Sequence, residues 1–190
     1  IVLLYRAYDE MYISRFGYAA SDDGLRFSRR NVPVLDTDPD DPYERIGIED
    51  PRITRIGTTY YILHTSASLY GVGHAPDVGG VRGYIPWRTR VGMHTTRDFR
   101  TFRSYGVILP KVQAKNAALL PEKIGGAFGL YYREGKALKI SYTKDFRHWF
   151  GTRLVQWPKP VAWQAFKFGV GSQPLATPEG FLMVNHAVDR

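Results

Sequence analysis

Apolar and aromatic positions along this chain of 190 residues come in short runs, each bounded by glycine, proline or charged residues. Ile1 to Tyr5, Thr58 to His64, Phe128 to Tyr132, Leu138 to Tyr142 and Phe181 to Asn185 read as β-strands of about five residues, an ordinary strand length. No window of eleven or more residues holds apolar positions at helical spacing without a glycine or proline interrupting it, so helix is predicted to be a minor component. The fold class predicted is all-β.

A local repeat organises these strands. Ser21 to Phe27, Thr96 to Phe102 and Thr143 to Trp149 each carry a hydroxyl residue, any residue, Asp, three residues and then an aromatic. The hydroxyl and the carboxylate can both accept from backbone N–H groups of a tight turn, and the terminal aromatic is predicted to open the next strand and pack inward. Ile56-Gly57 and Ile124-Gly125 precede aromatic runs and predict hairpin turns, with Thr177-Pro178-Glu179-Gly180 as a weaker third copy. The Asp turns are spaced 75 and then 47 residues apart, and the shorter interval fits one four-stranded blade of a β-propeller. The longer interval predicts an insertion in Tyr70 to Arg90, whose glycines and prolines favour a loop able to cover a central pocket.

Composition sharpens the picture only a little. The chain is 44% hydrophobic and 14% aromatic, a globular composition, and no apolar run approaches the roughly 18 residues of a membrane-spanning helix. Ile1 to Tyr5 is too short for a signal-peptide core, and the expected location is cytoplasmic. There is no cysteine, which excludes a disulfide framework and a thiolate metal site. The net charge of +8 is scattered along the chain, which argues against nucleic acid and favours an anionic partner such as phosphate. His64, His74, His94 and His148 lack metal-ligand spacing, and neither a Ser/His/Asp set nor a phosphate-cradling glycine loop is present.

The densest chemistry lies in Gly47-Ile48-Glu49-Asp50-Pro51-Arg52-Ile53-Thr54. Pro51 fixes its own φ and disfavours a helical Asp50, so an extended Asp50 on a loop entering a strand is predicted. Asp50 is the candidate catalytic carboxylate, and Glu49 is expected to hold Arg52 or a backbone amide.

Together with this octet, a string of segments in order resembles glycoside hydrolase family 130, the mannoside phosphorylases and their hydrolytic relatives. These are Leu3-Leu4-Tyr5-Arg6-Ala7, Ala19 to Phe27, Pro33-Val34-Leu35, Tyr60 to Tyr70, Lys115 to Ile124, Tyr131-Tyr132-Arg133, Lys167 to Gly171 and Val184 to Val188. The resemblance implies a five-bladed β-propeller with one central site, of which residues 1–190, read as a single domain, are expected to be a part incomplete at both ends. It implies Asp50 as general acid, relaying its proton through a sugar hydroxyl, and Lys115, Asn116, Arg133, Lys167 and His186 as contacts of inorganic phosphate. Arg6 and Arg52 would contact substrate. Phosphate would be a co-substrate, with no cofactor or metal. The implied reaction is inverting phosphorolysis of β-mannosides to α-mannose 1-phosphate plus a released sugar.

Most glycosidases use two carboxylates, whereas a phosphate nucleophile needs cations and no carboxylate beside it. The basic set therefore favours a phosphorylase over the alternatives, a phosphate-independent β-mannosidase or a propeller that binds glycans without cleaving them. Ser172-Gln173-Pro174, in place of a proline-rich step, keeps the last alternative open. Linkage, acceptor sugar and homo-oligomerisation are not specified by these residues.

Overall fold

Fifteen strands and no helix make up the computed structural model, which describes residues 1–71, 86–157 and 166–188. The strands are β1 (Val2–Tyr8), β2 (Ser14–Ala20), β3 (Ser28–Arg29), β4 (Gly47–Ile56), β5 (Thr59–Leu69), β6 (Trp87–Thr96), β7 (Arg103–Val107) and β8 (Ala114–Ile124). They continue with β9 (Ala127–Glu134), β10 (Ala137–Thr143), β11 (Trp149–Gln156), β12 (Lys167–Val170), β13 (Leu175–Thr177), β14 (Gly180–Leu182) and β15 (Asn185–Val188). The all-β expectation holds. None of the described residues forms a helix long and apolar enough to cross a membrane.

Two antiparallel four-stranded meanders dominate, β4-β5-β6-β7 and β8-β9-β10-β11. A smaller β1-β2-β3 unit touches the first meander through one parallel pair, Ser14 with Gly47. Gly47 has φ +134°, and a Cβ there would lie 2.4 Å from Ser14 Oγ and 2.5 Å from Ser14 N. Only glycine permits that approach. β12 pairs with β15, and β13 with β14.

The hydroxyl–Asp repeat sits at one joint of every unit, between β2 and β3, β6 and β7, and β10 and β11. In the second copy Thr96 Oγ1 accepts from Phe99 N at 2.9 Å, while Asp98 Oδ1 accepts from Arg100 N and Thr101 N at 2.8 and 2.9 Å. Thr143 and Asp145 reproduce this pattern, and Ser21 with Asp23 does so around Gly24. The inward aromatic differs in part from expectation. Phe102 and Trp149 pack partly on the cores, but Phe27 is exposed. The buried rings are Phe99 and Phe146, which hold positive φ where the first copy has Gly24. Burying a phenylalanine contributes about 1.5–3 kcal/mol, enough to offset the roughly 1–2 kcal/mol of a left-handed residue.

Those rings enter cores that lie between neighbouring sheets. Phe99 joins Leu4, Phe16, Ile48 and Ile62, and Phe146 joins Leu63, Met93, Leu119, Phe128 and Leu130. A third cluster sets Phe168 and Val170 of β12 against Ala118 and Leu138. Strands packed on both faces lose the alternation that marks a half-exposed strand, which is why β4, β5, β6 and β8 reach 10 or 11 residues where runs of about five were expected. Two buried polar groups inside β5 find partners: Ser66 Oγ donates to Glu44 Oε1 at 3.1 Å, and His64 Nε2 lies 3.1 Å from His94 Nδ1.

Two further expectations are corrected. Trp87 to Arg90, placed in a loop by composition, belongs to β6, because Ser66 to Leu69 supply a pairing edge; residues 72–85 of that predicted loop lie outside the described residues. The run Phe181 to Asn185 is divided between β14 and β15, whose partners are different strands.

Candidate active site

The site begins with irregularities in the first strands of the two meanders. In β4 the register shifts between Glu49, opposite Thr65, and Arg52, opposite Leu63. In β8 it shifts between Lys115, opposite Arg133, and Ala118, opposite Tyr131. Asp50 and Asn116 occupy these bulges, each at φ 54°. The extended Asp50 expected ahead of Pro51, on a loop, is therefore corrected to a left-handed residue inside a strand. Asp and Asn are the non-glycine residues that tolerate this region best, and a bulge re-aims the side chain it carries.

Arg6 of β1 bridges both acids of β4. Its Nη2 donates to Glu49 Oε1 at 3.0 Å and its Nη1 to Asp50 Oδ1 at 3.3 Å, while its guanidinium stacks 4.6 Å from the Tyr8 ring centroid. Glu49 thus pairs with Arg6 instead of the expected Arg52. Arg52 is buried and spends three donors on backbone: Nη1 to Asp50 O at 3.0 Å, Nη2 to Val170 O at 2.8 Å and Nε to Gly171 O at 3.2 Å. It ties the bulge of β4 to the end of β12.

The predicted phosphate contacts gather beside these groups. Arg133 Nε donates to Asn116 Oδ1 at 3.1 Å, and its Nη1 is held by Gly135 O. Gly169 of β12 faces His186 of β15 in register. A Cβ on Gly169 would sit 3.1 Å from His186 Cε1 and 3.3 Å from Arg133 Cδ, so this glycine lets the imidazole and the guanidinium converge.

Electrostatics record the same convergence. Burial, and then Arg133, push the Lys115 ammonium below its usual range; Glu49 and Asp50 oppose the shift, and Lys167 adds to it. Burial lowers His186, with Arg52, Arg133 and Lys167 reinforcing it. Burial raises Glu49 against the pull of Arg6. Cations that destabilise one another's charge form a place where an anion is favoured, since it lowers the Coulomb cost of every member.

A cleft of about 430 Å³ is lined by Arg6, Glu49, Lys115 and Arg133 of this set together with Trp87, Thr89, Gln113 and Gly135, while Asp50, Asn116, Lys167 and His186 are outside its lining. A larger hollow of about 730 Å³ lies elsewhere, lined by Ile1 to Leu4, Ile53, Phe99 and Leu175, with Arg55 as the charged side chain among its described lining. The smaller cleft carries the charged part of the candidate set. Sequence reasoning passed over Trp87, Thr89 and Gln113, because a lone Trp in a glycine-rich stretch and a Gln two residues before Lys115 carry no motif. No group of three or more metal-ligating side chains occurs among the described residues.

Known proteins resemble this chain over most of its length. A family model described as beta-1,4-mannooligosaccharide phosphorylase matches residues 1–78 and 81–190. A 1,2-beta-oligomannan phosphorylase of Thermoanaerobacter sp. (strain X514) is 31% identical over 98% of this chain and 60% of its own length. A beta-1,2-mannobiose phosphorylase of the same organism is 33% identical over 94% of this chain and 53% of its own. The chain thus spans a little over half of the length of these curated relatives. The solved beta-1,2-mannobiose phosphorylase of Listeria innocua, a complex with beta-1,2-mannobiose, superposes with a TM-score of 0.77 at 22% identity, over 100% of this chain and 60% of its own. That likeness is one of fold, the five-bladed β-propeller expected from the sequence, of which this chain covers a part.

Proposed function

Since the chain belongs to glycoside hydrolase family 130, the family described as beta-1,4-mannooligosaccharide phosphorylases, we propose that the protein cleaves β-mannosides by inverting phosphorolysis. Asp50 is the general acid and inorganic phosphate the nucleophile. The observation that carries this reading is the position of Lys115, paired opposite Arg133 on neighbouring strands and lining one cleft with Arg6 and Glu49.

In the proposed reaction the Asp50 proton passes through a sugar hydroxyl to the glycosidic oxygen. The bond from the anomeric carbon to that oxygen breaks as a phosphate oxygen bonds to the carbon from the opposite face. The products are α-mannose 1-phosphate and the released sugar, and no redox or metal step is needed. Arg6 keeps the Asp50 carboxylate aimed, and Arg52 holds its backbone carbonyl. Arg133 offers a planar fork to phosphate, oriented by Asn116, while Lys115, Lys167 and His186 supply further donors. An arriving phosphate stabilises cations that burial and mutual repulsion otherwise disfavour.

The relatives phosphorolyse β-1,2-linked oligomannan and mannobiose by name, so β-1,2-mannobiose is the first substrate to test, with β-1,4-mannobiose beside it. The full-length protein is incubated with each disaccharide with and without phosphate, and sugar phosphate and free mannose are quantified. Phosphate-dependent release of mannose 1-phosphate, lost in Asp50→Asn, supports the reading. Phosphate-independent release of mannose replaces it with β-mannosidase activity, and binding without turnover replaces it with a glycan-binding propeller.

A further inference from the structure

Trp87 stands in the cleft without a part in that reaction. The residue is 38% exposed at the start of β6 and lines the same cleft as Arg6, Glu49, Lys115 and Arg133. What sets it apart from the other exposed rings is its place on a concave, otherwise largely ionic wall, where ligand sites use a few aromatic side chains for recognition.

The backbone that carries the indole is pinned by one amide. Gln113 Nε2 donates to Trp87 O at 2.7 Å, and its Oε1 accepts from Thr89 N at 3.2 Å, from Arg90 Nη1 at 2.6 Å and from Tyr70 OH at 3.1 Å. Arg90 is itself buried and anchored through Nε on Pro110 O at 2.7 Å. Gln113 lies two residues ahead of Lys115, so the pin that places the indole is continuous with the strand that carries the phosphate cluster.

We propose that Trp87 is the stacking platform for the second pyranose ring of the substrate, the sugar released by cleavage, with Gln113 as its positioning residue. The proposal rests on the phosphorolysis reading for the place of the scissile bond. Asp50 and the cations engage the ring that carries the anomeric carbon. Trp87 lies two strands outward from β4, where the next ring of a disaccharide must extend. An indole face takes the C–H face of a pyranose, while Thr89 and Glu49 offer polar atoms to its hydroxyls. The proposal requires that a monosaccharide in the inner position makes no contact with Trp87.

Calorimetric titration of the full-length protein with mannose, β-1,2-mannobiose and β-1,4-mannobiose tests this in wild type, Trp87→Ala, Trp87→Phe and Gln113→Ala. The wild type is expected to bind one mannobiose more tightly than mannose. Trp87→Ala is expected to weaken that mannobiose roughly tenfold and leave mannose unchanged, with most of the loss restored in Trp87→Phe. Gln113→Ala is expected to weaken mannobiose and leave mannose unchanged, as Trp87→Ala does, at a lower melting temperature because buried Arg90 loses an acceptor. The platform is overturned if Trp87→Ala binds mannobiose as the wild type does, if mannose and mannobiose weaken equally, or if the wild type binds neither mannobiose better than mannose. A protein that shows the Trp87-dependent preference and yet releases no mannose 1-phosphate overturns phosphorolysis and leaves the platform standing.

Discussion

Asp50 and Asn116 occupy the same position in successive sheets: each is the left-handed residue, φ 54°, of a bulge in the first strand of its meander. One fold device thus positions a carboxylate that Arg6 holds and an amide that holds the Arg133 guanidinium. The pairing also explains why the proposed acid and the proposed phosphate site are held in fixed relation although 66 residues separate them (116 − 50).

Asp50→Asn separates chemistry from conformation, because Asn accepts the same left-handed backbone and keeps an oxygen for Arg6. Its melting temperature is expected to stay within a few degrees of the wild type, while phosphorolysis falls by the roughly 10²–10⁴-fold typical of a lost general acid. Asp50→Val is expected to lose the same activity and in addition about 1–3 kcal/mol of stability from the strained backbone. Chemical denaturation of both variants beside the sugar-phosphate assay checks the difference.

Arg52 joins Asp50 O to Val170 O and Gly171 O, so Arg52→Lys must abandon at least part of a clamp that a planar fork alone can span. A lysine left among buried carbonyls is expected to cost about 1–3 kcal/mol and to lower turnover as the bulge relaxes. Denaturant midpoints and kcat for the same preparations decide it. Wild-type turnover in Arg52→Lys would mean that the clamp does not aim Asp50.

The buried pair His64 and His94 predicts a pH dependence of stability unrelated to the active site. Burial lowers His94 to about 4 from an ordinary 6.5, and burial, with His94 beside it, holds His64 well below its ordinary value. Both folded-state values lie below the unfolded ones, so the unfolded chain binds the extra protons. Stability is fully present above pH 6.5 and is lost as pH falls toward 4. A shift of this size for His94 corresponds to roughly 3 kcal/mol. Melting curves from pH 8 to 4 are expected to fall through this window, and His94→Gln is expected to flatten the slope at lower overall stability.

What the sequence disclosed and what it hid follow the range of the interactions. The hydroxyl–Asp turns were legible because Thr96 and Asp98 bond to amides within three residues. Phe99 and Phe146 were not, since a phenylalanine at positive φ is stabilised by a core assembled from distant strands. Asp50 stood out through Pro51, but its neighbour Glu49 was matched to nearby Arg52 when the partner is Arg6, 43 residues away. The gathering of Arg6, Lys115, Arg133, Lys167 and His186 was readable only as a resemblance of ordered motifs, because no spacing rule joins residues on separate sheets. Trp87 and Gln113 were invisible for the same reason.

Gly169 offers a test of the phosphate cluster that touches no charged side chain. A methyl added there would lie 3.1 Å from His186 Cε1, 3.2 Å from His186 Nε2 and 3.3 Å from Arg133 Cδ, contacts tight enough to displace both groups by a few tenths of an ångström. The backbone itself is not strained, since no positive φ is recorded at Gly169. Gly169→Ala is therefore expected to fold normally, to raise the KM for phosphate several-fold and to leave the KM for the mannoside nearly unchanged. The same variant is expected to lose much of the thermal stabilisation that saturating phosphate gives the wild type, which is about 2.7 kcal/mol when phosphate stands at a hundred times its dissociation constant. Melting curves across a phosphate series, with sulfate at matched ionic strength as the control, measure it. Equal stabilisation of wild type and Gly169→Ala by phosphate would place the anion away from His186 and Arg133.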